Sequence, residues 1–212
     1  MTSPRTRRLA VLASGRGTNF VALAEAAARG ALGGDVVVLM TDQADCGAVR
    51  EAHGRGIAVE VIDAPTHRAR LGEAAELDAV ARLRTHDVDT VLLAGFMRIL
   101  SNLFLEAYPG RVLNLHPSLL PAFPGLDAIA RAHRHGVRVT GCTVHLVSEG
   151  IDEGPILAQR AVTIGDDDAL DAVEARVHAA EHALYPETVR AFLTRPFAIE
   201  GRRVRWLAPE GA

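Results

Sequence analysis

The sequence predicts an α/β fold: a Rossmann-like, mostly parallel sheet flanked by helices, with antiparallel strands toward the C-terminal half. Three observations predict it. Short apolar runs rich in β-formers alternate with segments of helical period through the first half of the chain. A glycine loop joins the first run to the first helical segment. Late in the chain, two β-rich runs follow one another with no helix between them, which suits antiparallel pairing.

Taken in order, residues 8–13 form a buried strand, the glycine loop follows, and residues 20–29 carry an alanine-rich helical pattern. Residues 36–40 read as a second strand, 46–53 as a helix ended by Gly54, and 58–62 as a third strand. This βαβαβ order requires a parallel sheet covered on both faces. Residues 67–85 hold Leu71, Ala75, Leu77, Val80 and Leu83 near helical spacing, and 90–94 return to a strand. The strand at 111–115 delivers Asn114 and His116 at or beyond its carboxyl end, where open α/β sheets bind ligands. Strands at 137–147 and 156–164 flank a loop bearing Asp152. The acidic triplet 166–168 is expected to cap a helix running to about residue 190, kinked or interrupted at Pro186. Residues 197–206, with Gly201 near the middle, read as a hairpin. With no repeat or linker, residues 1–212 read as a single domain, nucleotide-binding-like over about 8–115 and completed by about 116–212.

Composition narrows the partners. A formal charge of −3 and 49% hydrophobic content give no electrostatic footprint for nucleic acid or anionic membrane, though a local basic pocket for a small anion remains compatible. Cys46 and Cys142 lie far apart without a ligand spacing, so neither a disulfide framework nor a metal site is expected. Residues 1–8 are basic, but the apolar run behind them is too short for a signal peptide, and no run reaches a membrane span. A cytoplasmic chain, monomer or homodimer, is expected. All 23 basic residues are arginines, which removes a Walker lysine and every lysine-derived imine.

Ser14-Gly-Arg-Gly-Thr-Asn19 lies between strand and helix, where backbone N–H groups and the helix dipole can hold phosphate; a plain glycine turn fits equally. Asn114 and His116 share a face if their strand continues through residue 116. Together they can donate to an oxygen gaining negative charge, and the imidazole can also move a proton. Read without context, Asn114 ends a strand, His116 is a satisfied core histidine, and Asp152 before Gly-Pro is a turn residue. His145 suits a supporting position, whereas His133, His135, His178 and His182 read as surface residues on helices or turns.

The segments Asn114-Leu-His-Pro-Ser-Leu-Leu-Pro121, Phe123-Pro-Gly125, Gly141-Cys-Thr-Val-His145 and Asp152-Glu-Gly-Pro155 closely resemble the formyltransferases that use 10-formyltetrahydrofolate. Ala13-Ser-Gly-Arg-Gly-Thr-Asn19 and Leu93-Ala-Gly-Phe-Met-Arg-Ile-Leu-Ser101 look like the branch whose acceptor is glycinamide ribonucleotide, in purine biosynthesis. The resemblance spans nearly the whole chain. It implies catalytic positions at Asn114, His116 and Asp152. It implies a phosphate-holding loop at Gly17, Thr18 and Asn19, and a glycinamide contact at Glu181. It also implies a folate site at Arg70, Met97, Arg98, Ile99, Leu100 and Asn114, with no metal. Ala122 stands where the family often has lysine and Glu153 where it often has glycine, and neither is a catalytic position. A formyl-folate hydrolase would normally add an amino-terminal regulatory domain, and a methionyl-tRNA formylase a basic carboxy-terminal one. The first is not expected because the catalytic fold begins near Arg8, and the second because neither an extra carboxy-terminal domain nor basic charge is read. A folate- or nucleotide-binding module without turnover is a third reading, opposed by the complete Asn/His/Asp set.

Overall fold

The computed structural model describes residues 6–64 and 69–208. The chain forms two compact units that divide between Leu113 and Asn114, inside the strand β5 (Val112–His116).

The first unit runs β1 (Arg7–Leu12), α1 (Thr18–Ala28), β2 (Gly34–Thr41), α2 (Gly47–Gly54), β3 (Ala58–Val61), α3 (Glu73–Thr85), β4 (Thr90–Leu93) and α4 (Asn102–Ala107). Its strands lie in the order β3-β2-β1-β4 and pair in parallel, as the βαβ alternation requires. Leu9, Leu12, Leu39, Met40 and Leu92 are wholly buried on these strands, so the runs read as continuous apolar stretches rather than alternating ones. The helix expected from residue 67 begins only at Glu73. Gly72 enters it at φ 90, Arg70 bridges Ile99 in an extended pairing, and residues 67 and 68 lie outside the described residues.

The second unit carries α5 (Ala128–His135), β6 (Val139–Leu146), β7 (Ile156–Thr163), α6 (Leu170–Thr194), β8 (Phe197–Glu200) and β9 (Arg203–Trp206). β6 and β7 are antiparallel, β9 meets β7 in parallel through Ile156 and Arg203, and β8 and β9 form the expected hairpin. α6 packs across β6 and β7. Val173 and Val177 on α6 join Ile129, Val162 and Ile164 in one apolar cluster.

Two features of α6 differ from expectation. Its N-cap is Ala169, without a side-chain cap, because Asp168 turns back to the Gly165 N–H and pairs with Arg176. The helix also continues through Pro186 to Thr194. Burial of Tyr185, Val189 and Phe192 on the turns around the proline offsets the hydrogen bond it removes. Among the described residues, no helix is long and apolar enough to cross a membrane.

In the first unit, Glu76 is 1% exposed and its carboxylate receives both the Ser101 N–H, at 2.8 Å, and the Ser101 hydroxyl. It thereby closes the start of α4 and pins the residues just before it. Glu76→Ala strands that N–H and hydroxyl, so a loss of about 2 kcal/mol is expected in urea unfolding, partly restored in Glu76→Gln. An unchanged midpoint for Glu76→Ala would show that water replaces the carboxylate at no cost.

Candidate active site

β5 extends through His116, so Asn114 and His116 project from one face, and in the second unit both reach Asp152. Asp152 lies in the loop between β6 and β7 with φ 56, a left-handed conformation that aspartate tolerates better than most residues. Gly154 fits behind it only as glycine, since a Cβ there would lie 1.7 Å from the Leu146 carbonyl oxygen. The close backbone approach fixes the loop, and the loop fixes the carboxylate.

The carboxylate is a hub. Oδ2 accepts the Gly125 N–H at 2.8 Å and lies 3.3 Å from His116 Nδ1; Oδ1 accepts from Asn114 Nδ2 at 3.4 Å and lies 3.5 Å from His145 Nε2. The side chains of His116, Asp152 and His145 are 6%, 10% and 2% exposed, so these contacts are little screened by water. Burial pushes the Asp152 carboxyl up. The contact with His145, the Gly125 N–H and the charges of His116 and His145 together outweigh burial and hold it below its ordinary value.

Each partner is held from a second side. His116 Nε2–H donates to the Phe123 carbonyl at 2.9 Å, and Phe123 sits at φ 51 to aim that oxygen. His145 Nδ1–H donates to the Leu146 carbonyl at 2.8 Å, and its Nε2 lies 3.1 Å from Asn114 Nδ2. The Asn114 amide nitrogen thus faces Asp152 and His145 together inside the cluster. The proline-rich loop after β5 is pinned by Thr143 of β6, whose hydroxyl donates to the Ser118 carbonyl and accepts the Leu120 N–H. Gln159 of β7 donates to the Leu120 carbonyl and to Thr143.

The remaining predicted residues divide by unit. Glu181 is buried on α6 of the second unit, 2.9 Å from His178 Nδ1. His178 is therefore no plain surface residue. Nor is His133, which donates to the Asp168 carbonyl, nor His182, whose Nε2 is buried without a hydrogen-bond partner. His135 is exposed and meets Phe123 edge-on. Burial pushes the Cys142 thiol up to about 12, with Glu181 adding to the shift, so it is no thiolate at neutral pH.

In the first unit, Gly17 caps α1 at φ 82, and a Cβ there would lie 2.6 Å from Ala48 Cα. Only glycine fits. The loop lies backbone against backbone on the start of α2, with Ala48 N–H donating to the Gly15 carbonyl. No acidic side chain occupies the first turn of α1, so Thr18 and Asn19 begin an electropositive helix end. Arg16, Gln43 and Arg50 line a cavity of about 530 Å³ beside the loop.

Of the segment 97–100, Met97 is exposed and Leu100 buried; Arg98 is buried and donates to Asp42 at 2.6 Å. Arg70 is exposed beside Ile99. Asp42, Ser14 as a hydroxyl and Gln159 escaped the sequence reading, and Phe123 and Thr143 entered it only as members of matched segments, without a role. Asp42 alone carried a signal, as the acidic residue just past a buried strand. Among the described residues, no group of three or more His, Cys, Asp and Glu side chains is placed to hold a metal ion.

An α/β chain whose strand end delivers an amide and an imidazole to one buried carboxylate matches the formyl transferase family over residues 7–189, and it belongs to that family. Among particular relatives, it is 38% identical to the phosphoribosylglycinamide formyltransferase of Bacillus subtilis, over 88% of this chain and 95% of that one. It is 42% identical to the crystal structure of glycinamide ribonucleotide transformylase 1 from Symbiobacterium toebii, with a TM-score of 0.90 over 97% of this chain and 96% of that one. A formyltetrahydrofolate deformylase from Pseudomonas syringae pv. tomato shares the fold at TM-score 0.88 but 22% identity, over 97% of this chain and 67% of that one.

The depressed Asp152 carboxyl sets a pH dependence. A folded-state value below the ordinary 3.8 stabilises the protein fully above about that pH, and the contribution is lost as pH falls through the folded value. Asp152→Asn lacks this contribution at every pH. The difference in urea midpoint between wild type and Asp152→Asn should therefore be largest near neutrality and shrink below pH of about 4; a constant difference would refute the ionic part of the cluster.

Proposed function

We propose that the protein transfers a formyl group from 10-formyltetrahydrofolate to the amine of N1-(5-phospho-D-ribosyl)glycinamide, giving the formylated ribonucleotide and tetrahydrofolate in de novo purine biosynthesis. The observation that carries this reading is the convergence of Asn114, His116 and Asp152 in a chain of the formyl transferase family. The amine attacks the formyl carbon, a C–N bond forms, and the carbonyl oxygen becomes an oxyanion. Collapse restores the carbonyl and breaks the bond to N10, while the amine loses a proton and N10 gains one.

In this reaction Asn114 and His116 donate to the oxyanion, which requires the Asn114 amide and His116 Nε2–H each to exchange an internal contact for the substrate. His116, directly or through water, carries the proton to N10. Asp152 Oδ2, 3.3 Å from His116 Nδ1, orients the imidazole for this role. Gly17, Thr18 and Asn19 suit the ribonucleotide phosphate, the start of α1 supplying N–H groups and positive potential. Exposed Arg70 suits the glutamate carboxylate of the folate, and residues 97–100 its pterin, with Arg98 contributing through its backbone because its guanidinium is held by Asp42. Glu181 serves the glycinamide substrate. One family match spans both compact units, so the two act as one formyltransferase domain. We read the protein as cytoplasmic, monomeric or homodimeric, with neither nucleic-acid nor membrane partner and no metal.

The deciding assay follows loss of 10-formyltetrahydrofolate with and without glycinamide ribonucleotide. Loss only with the acceptor is expected. Acceptor-independent loss would assign hydrolysis, and no loss would leave a binding module. In the same assay His116→Ala should lower kcat by about 10²–10⁴ and Asn114→Ala by about 10²–10³, with folding intact by circular dichroism. Activity within a few-fold of wild type in either variant would remove that residue from the chemistry.

A further inference from the structure

The loop assigned to the acceptor phosphate and the segment assigned to the donor belong to the same unit, and one buried network joins them. Asp42 and Arg98 form an ion pair of 2.6 Å whose side chains are 2% and 6% exposed. Ser14, the first residue of the glycine loop, donates its hydroxyl to Asp42 Oδ1 at 2.6 Å. The same hydroxyl accepts the Met97 N–H at 3.0 Å, and Ser14 N–H donates to the Gly95 carbonyl at 3.1 Å. Gln43 completes the set by donating to Asp42 Oδ2 at 3.2 Å. Ser14 therefore bonds at once to the residue before the donor segment's glycine turn is complete and to the first residue of that segment, while Asp42 holds the second.

Such a network has few alternative arrangements. Both oxygens of the carboxylate, Nε of the guanidinium and one hydroxyl are all engaged, and a buried charge left unpaired is costly. A shift of the glycine loop toward a phosphate must move Ser14, and Ser14 cannot move without disturbing Met97 or Asp42. We propose that Asp42 is a positioning residue that, with Ser14 and Arg98, couples occupancy of the acceptor loop to the shape of the donor segment, so that each ligand binds more tightly when the other is present. The proposal rests on the assignment of these two segments under the proposed function. Reciprocity is required: the acceptor must raise donor affinity by the same factor as the donor raises acceptor affinity.

The test uses tetrahydrofolate as the donor-site probe, because it carries no formyl group and allows both ligands to be bound without turnover. Its Kd is measured by isothermal titration on the full chain, with and without saturating glycinamide ribonucleotide. For wild type, a tightening of about fivefold or more is expected. In Asp42→Asn, an isosteric change, the factor should fall below about twofold. Ser14→Ala leaves the ion pair in place and should show the same loss of coupling, which guards against a folding defect in the first variant. Steady-state kinetics supply a second readout: Asp42→Asn should raise KM for both substrates more than it lowers kcat, since no group touching the reacting atoms has changed. Coupling that persists undiminished in Ser14→Ala and in Asp42→Asn overturns the proposal, as does its absence from wild type when both ligands bind singly. If tetrahydrofolate does not bind wild type at all, the donor assignment itself fails and the proposal falls with it.

Discussion

A single buried carboxylate organises the second unit. Asp152 takes a backbone N–H, an amide and two imidazoles, and without its charge these groups would have no common acceptor. Burial alone would favour the neutral acid, and the partners reverse that preference. The backbone is shaped to serve this point: Asp152 and Phe123 both adopt left-handed conformations, and Gly154 is pressed against the Leu146 carbonyl. Strain and close approach of this kind persist only where surrounding contacts over-determine them. Here the over-determination comes from Thr143 and Gln159, which fasten the proline-rich loop to two antiparallel strands.

The first unit repeats the device with different residues. Asp42 fastens the glycine loop to Arg98, and Glu76 fastens the end of the same segment to α3. In each case a buried carboxylate, on a loop for Asp152 and Asp42 and on α3 for Glu76, ties down backbone that has no ladder to join. The cost of desolvating it is met by several directed donors rather than one counter-ion, which is the arrangement in which buried charge is tolerable. The result is a segment, Met97 to Ser101, with partners at its beginning and end yet with Met97 left exposed for contact.

Much of this was legible in the sequence and some was not. The parallel βαβ order and the late antiparallel pair follow from period and composition, because strands buried on both faces are continuous apolar runs. α4 escaped notice because six residues give too little period to detect, and the acidic triplet misled because Asp168 found Gly165 and Arg176 instead of the helix start. Of the two outcomes expected at Pro186, a kink or an interruption, the interruption does not occur, since burial on both flanking turns offsets the lost hydrogen bond. Asn114 and His116 could be placed on one face from alternation alone. Their meeting with Asp152, 38 residues beyond Asn114, depends on the return of β7 along β6, and no local pattern encodes that. The meeting of Asp42 with Ser14 and Arg98 was hidden for the same reason.

The absence of lysine sharpens the case for His116. In the proposed reaction its position, 3.3 Å from Asp152, calls for a group that can both carry a proton and release it. Arginine satisfies the first requirement and fails the second, since it does not deprotonate in proteins. Lysine being absent, the permanently charged side chains of this chain are all arginines, and the one in the buried pair, Arg98, does structural work that gains from a permanent charge. Histidine is then the sole side chain available that can alternate between the two states near neutral pH. Under the proposed function the residue facing Asp42 keeps its proton and the residue facing Asp152 passes one on, which suits arginine to the first place and histidine to the second.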